Sequence, residues 1–264
     1  MLYIVATPIG NLLEMNQRAI DTLKEVDLIA CEDTRHSGKL LKHFNIDTKM
    51  VSYQKFNERA STKGLIDQLL LGKKIALISD AGMPLISDPG SILLDECIAK
   101  GIDYTIISGP CALINAVVLS GFSTSEFSFL GFLPDKKSLR EAKLQPYLFV
   151  PSTLIFYSPP QNVLKDCEFL FSVFKARRVS VIREISKMYE SVYRGNLGED
   201  LKIKETGEFV IVLEGYKGAD KEGMSEAELY QEYIKMGLGK MDAIKAVAKD
   251  KCVAKSVVYD LIGK

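Results

Sequence analysis

Histidine is nearly missing from this chain, occurring only at His36 and His43. Two imidazoles are too few for a histidine-rich metal centre. Cysteine is sparse as well. Cys31, Cys97, Cys111, Cys167 and Cys252 are scattered, with neither pairing nor metal-ligand spacing. No disulfide framework or metal site is therefore expected, and a reduced cytoplasmic setting suits the composition. No apolar run reaches about 18 residues, and the first strand carries no charged leader, so neither a membrane span nor a secretory signal is expected. Charge of either sign is not in excess: 34 Lys and Arg balance 34 Asp and Glu. The molecule as a whole is no trap for polyanions, and any nucleic-acid partner has to be gripped by local basic patches. Internal repeats and low-complexity tracts are absent.

What is present is an ordinary globular composition over 264 residues, enough for two domains. The fold class expected is α/β. Residues 1–112 alternate strand and helix. Strands are expected at Leu2–Val5, Asp27–Cys31, Met50–Tyr53, Ile75–Ser79 and Tyr104–Ser108. Helices are expected at Asn16–Glu25, Ser37–Phe44, Glu58–Leu71, from Pro89 to before Gly101, and Ala112–Ser120. That alternation predicts a mainly parallel sheet covered on both faces. Residues 113–217 are richer in strand, at Phe127–Phe132, Thr153–Tyr157, Arg178–Glu184, Val192–Gly195 and Phe209–Glu214. Their two helices, Lys137–Gln145 and Val163–Phe171, predict a second α/β domain with a mixed sheet. Gly215–Gly223 reads as a polar linker, and residues 225–264 as a module of three short helices, Glu226–Met236, Lys240–Lys249 and Lys255–Ile262.

Four loops at strand ends share a character: small, rigid or acidic residues where open α/β sheets bind ligands. Thr7-Pro8-Ile9-Gly10 lacks the Gly-Lys-Ser/Thr ending of a P-loop and is not a G-x-G-x-x-G fingerprint. It reads either as an ordinary βα turn or as a ligand loop. Glu32-Asp33-Thr34-Arg35 is either a helix start, capped by Asp33 or Thr34, or a substrate platform on which Arg35 holds a phosphate. Ser79-Asp80-Ala81-Gly82-Met83-Pro84 follows the most apolar strand and lets a bulky ligand approach the backbone. Asp88, next to Pro89, has a structural account as the N-cap of the following helix. Ser108-Gly109-Pro110-Cys111-Ala112 opens a helix whose free N–H groups suit an anion. Cys111 reads as a packing residue rather than a nucleophile, since no His lies near it. Arg177, Arg178, Arg183 and Arg194, with Lys175 and Lys187, read equally as phosphate contacts or as a solvated basic surface. Arg183 and Glu184 also suit an internal ion pair. The lysine-decorated helical tail suits a helix-turn-helix-like nucleic-acid contact or a stabilising cap.

Taken together, these loops resemble a known family. VATPIGNL, RAIDTLKEVDLIACEDTRHSGKLLKHFNI and ISDAGMPLISDPG are similar to the bacterial 16S ribosomal RNA cytidine 2′-O-methyltransferases of the tetrapyrrole methylase superfamily. The likeness continues through SGFSTSEFSFLGFLP, RRVSVIREISKMYESVYRGNL and GEFVIVLEG, and takes in the helical tail. It implies two α/β domains of tetrapyrrole methylase type with S-adenosylmethionine in a cleft between them, and a homodimer. It implies methyl transfer to a cytidine ribose in the decoding region of 16S ribosomal RNA, on the small ribosomal subunit. Carried over by position, the cofactor residues are Pro8, Ile9, Gly10, Asp80, Gly82, Met83, Pro110, Ala112, Leu113 and Tyr157. Glu32 or Asp33 is expected to accept the hydroxyl proton, Arg35 to hold phosphate, and Asp80 to orient the cofactor. Two stretches depart from the family pattern. Ser108-Gly109-Pro110-Cys111-Ala112 replaces Pro-Gly-Pro-Ser-Ala and keeps small residues. Tyr157-Ser158-Pro159-Pro160-Gln161-Asn162 replaces Tyr-Glu-Ser-Pro-His-Arg and removes an acid, an imidazole and a guanidinium. Two alternatives stand beside this reading: a tetrapyrrole C-methyltransferase, which needs a broad apolar cleft, and a non-catalytic RNA-binding or ribosome assembly factor.

Overall fold

The architecture was obtained as a computed structural model, which describes residues 1–217, 223–235 and 238–262. Residues 218–222 of the expected linker, and Met236 of the first tail helix, lie outside the described residues. The chain divides into two units, Met1–Asn115 with Glu184–Ser191, and Ala116–Arg183 with Val192–Lys264.

The first unit is built on five strands: β1 (Leu2–Val5), β2 (Leu28–Cys31), β3 (Met50–Ser52), β4 (Ile75–Ile78) and β5 (Tyr104–Ile107). They lie in the order β3-β2-β4-β1-β5, and every pair is parallel. The crossovers are α1 (Gln17–Glu25), α2 (Thr34–His43), α3 (Glu58–Leu70) and α4 (Ser91–Ala99), with α5 (Ala112–Ser120) following β5. Strand side chains alternate between faces, so β1, β2 and β4 each feed two cores. Ile75 and Leu77 of β4 meet Leu65, Leu69 and Leu93 on one face. Ala76 and Ile78 meet Ala19, Leu23 and Leu41 on the other. Burial on both faces is what makes these strands continuous apolar runs. Strand order reverses around β1, with β2 and β3 to one side and β5 to the other. Ligand sites of open sheets form outside the carboxyl ends at such a switch point.

Two helix starts differ from expectation. α2 begins at Thr34, three residues before Ser37, because the Asp33 carboxylate accepts the Arg35 N–H at 2.8 Å and caps the helix. α4 begins at Ser91, and Asp88 is not its N-cap. The cap position is Gly90, at φ 139°, where a glycine lacks any side chain to accept the free N–H groups. A carboxylate from another helix takes over: Glu58 of α3 accepts from Gly90 N–H at 2.8 Å and Ile92 N–H at 3.4 Å.

The second unit carries β6 (Phe127–Phe132), α6 (Lys137–Leu144), β7 (Thr153–Ser158), α7 (Val163–Phe174), β8 (Arg178–Arg183), β9 (Ser191–Asn196) and β10 (Phe209–Leu213). The sheet order is β6-β7-β10-β8-β9. It is mixed: β6 and β7 are parallel, whereas β10 runs antiparallel to both β7 and β8. Helices α8 (Glu226–Lys235), α9 (Lys240–Asp250) and α10 (Lys255–Ile262) enclose their own core of Leu229, Ala243, Ile244, Val247 and Val258, against which Phe149 packs.

Candidate functional site

In the first unit, three of the singled-out loops meet. Thr7, beyond β1, pairs with Gly82, beyond β4: each backbone N–H donates to the other's carbonyl, at 2.9 and 3.1 Å. The buried Thr7 hydroxyl donates to Ser79 O at 3.1 Å, and the Ser79 hydroxyl donates to Gly82 O at 3.1 Å. Gly82 sits at φ 83°, and a Cβ there would stand 3.1 Å from Ile9 Cγ2 and 3.6 Å from Pro110 O. The Ile9, Gly82 and Pro110 segments are therefore in near contact, and the spacing depends on the missing side chain. Asn16, which caps α1, also donates to Ser108 O at 2.7 Å and ties the β5 loop to the β1 loop. Leu113 is buried on α5, and Met83 is half-buried. Between Met83 and Asp88 the backbone is strained, with Leu85 at φ 71° and Ser87 at φ 73°. Such conformations persist where surrounding structure enforces them, and they collect at functional sites.

Carboxyl groups gather at the neighbouring ends of β2 and β4. Asp33 N–H donates to Asp80 Oδ1 at 3.3 Å, joining the two loops. Environment separates the acids. Arg35 donates to Asp33 through Nε at 3.2 Å and Nη2 at 2.9 Å, and with the capping N–H it lowers Asp33 to about 2. Burial, reinforced by the charges of Asp80 and Asp33, raises Glu32 above its ordinary value. Burial likewise lifts Asp88 to about 6, with Glu32 and Asp80 adding repulsion and a hydrogen bond from Ser79 opposing it. Asp88, read from sequence as a helix cap, thus belongs electrostatically to the acid group. Only the positive-φ bend before it brings it there, and a local sequence signal does not encode that bend. Arg35 is largely exposed, its guanidinium fork turned onto Asp33.

The segment Glu184–Ser191, beyond β8, packs with the first unit rather than with its own sheet. The Ser186 hydroxyl hydrogen-bonds Glu14. The Lys187 stem lies over Gly10, whose added Cβ would stand 2.4 Å from Lys187 Cγ. Lys187 Nζ is 2.9 Å from Glu184 Oε1. The sequence marked Lys187 only as one of a basic group and Glu184 as a partner for Arg183; the packing of the segment on the Gly10 loop has no local signal, because it carries no periodicity of its own.

In the second unit, Tyr157 of β7 sets its ring 4.8 Å from that of Phe129 and 5.5 Å from that of Phe132. It is the one expected cofactor residue that belongs to this unit. Ser158 donates to Asp166 Oδ2 at 2.6 Å, and Arg140 pairs with Asp166 Oδ1 at 2.9 Å. Of the arginines expected as a basic group, Arg177 and Arg183 serve as internal struts. Arg177 is buried, donates to Leu148 O at 2.7 Å and lies over the Phe174 and Tyr216 rings. Arg183 is buried and donates to the Thr206 hydroxyl at 3.0 Å. Arg178 pairs with Glu214 at 3.1 Å. Among the described residues, no three His, Cys, Asp or Glu are placed to hold a metal ion, and no helix is long and apolar enough to cross a membrane.

Residues 1–200 match the tetrapyrrole (corrin/porphyrin) methylases. Ribosomal RNA small subunit methyltransferase I of Halalkalibacterium halodurans is 42% identical, over 98% of this chain and 93% of that protein. The protein of the same name from Vibrio cholerae is 42% identical, over 87% of this chain and 82% of its own. Among solved structures, uroporphyrin-III-C-methyltransferase from Thermus thermophilus superimposes with a TM-score of 0.58 at 18% identity, covering 84% of this chain and 97% of that one. At that identity the likeness speaks for the fold alone. On sequence and fold together, the chain belongs to the tetrapyrrole (corrin/porphyrin) methylase family and is a methyltransferase.

Proposed function

We propose that this chain methylates the ribose 2′-hydroxyl of a cytidine in 16S ribosomal RNA, acting on the small ribosomal subunit in the cytoplasm as a homodimer, with S-adenosylmethionine as donor. The observation that carries the reading is the meeting of the Ile9, Gly82 and Pro110 segments directly beside the Glu32–Asp33–Asp80 carboxyls. The names of the relatives support the choice of RNA as acceptor. The site suits an adenosyl donor in offering backbone and apolar surface from Ile9, Gly82 and Pro110 in near contact, a spacing that a Cβ at Gly82 would crowd. Pro8, Ile9, Gly10, Gly82, Met83, Pro110, Ala112 and Leu113 would line it. Asp80, fixed by the Asp33 N–H, would orient it. Once bound, S-adenosylmethionine supplies a methyl group activated by a sulfonium.

The chain's own contribution is alignment and proton acceptance. A ribose hydroxyl is a weak acid, so a nearby acceptor with a raised pKa helps remove its proton. Glu32 answers that description, because burial and its acidic neighbours raise it. Asp33 does not, since Arg35 and the α2 cap hold it to about 2. Asp33 instead aims the exposed Arg35, whose remaining N–H groups suit a phosphate oxygen.

The test is methylation of purified small subunits, mapped by mass spectrometry, with donor binding followed by calorimetry. Glu32→Gln is expected to lower the single-turnover rate about a hundredfold. Its donor affinity is expected to hold, whereas Asp33→Asn loses no more than several-fold in rate. Full methylation by Glu32→Gln would remove Glu32 from the mechanism. Absence of any ribosomal RNA product from the native protein would remove the reading itself.

A further inference from the structure

The loop joining β8 to β9 has a construction that the proton-acceptor and donor assignments leave unexplained. It is rigid. Glu184 and Ser186 both hold left-handed backbone, at φ 53° and φ 66°. Lys187 N–H donates to Glu184 O at 3.0 Å, Glu190 N–H donates to Lys187 O at 3.1 Å, and Ser186 N–H donates to Glu190 Oε2 at 2.8 Å, so the loop closes on itself. It is also buried at one point and anchored on the first unit at two. Ile185 is buried, Ser186 hydrogen-bonds Glu14, and the Lys187 stem lies across Gly10 in the Thr7–Gly10 loop. Yet the next two residues, Met188 and Tyr189, are 89% and 67% exposed. Strained, tightly held backbone that presents a thioether and a phenol ring to solvent beside a lysine is a costly way to make an ordinary turn.

We infer that Tyr189, with Met188 beside it, is a stacking platform for an unpaired nucleobase of the RNA substrate, held at the donor loop by the Ser186–Glu14 and Lys187–Gly10 contacts. This rests on the RNA-methyltransferase reading above and adds a recognition element to it. RNA is recognised in sequence chiefly at unpaired, unstacked bases, which dock on aromatic side chains. A stack of this kind is tolerant of base identity and is preorganised when the ring sits on rigid backbone. The Lys187 contact to Gly10 fixes this loop, two residues before Tyr189, against the segment assigned to the methyl donor.

The experiment uses the full chain, purified small ribosomal subunit, and a short single-stranded RNA carrying a fluorescent cytidine analogue whose emission is quenched by stacking. Tyr189→Ala is expected to raise KM for the subunit about tenfold and to lose the quench. Tyr189→Phe, which keeps the ring, is expected to recover both, and Tyr189→Leu to recover neither. Affinity for S-adenosylmethionine, measured separately, is expected to stay within about twofold throughout. A Tyr189→Ala protein with native KM and native quench overturns the inference while leaving the methyltransferase reading intact. A native protein that binds the donor but neither binds nor methylates ribosomal RNA overturns both.

Discussion

Asp88 shows how far one side chain's role depends on its surroundings. Alone in sequence, Asp followed by Pro is a helix cap. In the fold it is a half-buried acid facing Glu32 and Asp80, with its carboxyl lifted from 3.8 to about 6. A raised folded-state pKa means the native protein binds the extra proton. The associated stability is therefore complete below about pH 4 and lost as pH climbs through about 6. Asp88→Asn removes that loss. It is expected to stabilise the protein by about 2 kcal/mol at about pH 7.5, on the basis of about 1.4 kcal/mol per unit and partial exposure. Its melting temperature is expected to vary less than the native one between about pH 4 and about pH 7. Thermal scans across that range check the slope, and a native-like slope in the variant would place the ionisation elsewhere. The contrast between Glu32 and Asp33 has the same origin. Adjacent acids of similar intrinsic strength diverge because one is partly buried among carboxyls and the other is held by Arg35.

At the scale of elements, α4 depends on α3 for its start. Gly90 cannot cap, so the Glu58 carboxylate accepts the Gly90 and Ile92 N–H groups, and the Tyr53 hydroxyl donates to it at 3.3 Å. Tyr53 is itself fully buried, and burial lifts its hydroxyl to about 12. Glu58→Ala strands these donors in the interior and is expected to cost about 2–4 kcal/mol in denaturant unfolding, since each unpaired buried group costs about 1–3 kcal/mol. Glu58→Gln keeps an acceptor oxygen and is expected to lose less than half as much. Equal losses in the two variants would show that the charge, not the acceptor, is what α4 needs. Most elements were legible in the chain because apolar spacing at period 2 or 3.6 is a local property. The start of α2 was legible as one reading of the Glu32–Arg35 loop, with Asp33 as both cap and ion-pair partner. The start of α4 was not. It is set by a residue 32 positions away.

At the scale of the whole molecule, charge balance constrains how RNA is approached. With 34 cations against 34 anions there is no net charge, and Arg177 and Arg183 are engaged internally. The association rate with ribosomal RNA is therefore expected to fall less than about threefold between about 50 and about 200 mM salt, as measured by stopped flow. A drop of a hundredfold would reveal a concentrated basic face. The sequence by itself determined the α/β class, the parallel first sheet, the mixed second sheet and the three tail helices, because these follow from periodicity and turn chemistry along neighbouring residues. It also marked the strand-end loops as the place to look. Only the tertiary structure decided which of those groups lie together. Strand order brings Thr7 against Gly82 and Asp33 against Asp80, and an excursion from the second half of the chain lays Lys187 over Gly10. Proton affinity and close contact arise from through-space distance and burial, and those depend on residues far apart in the chain.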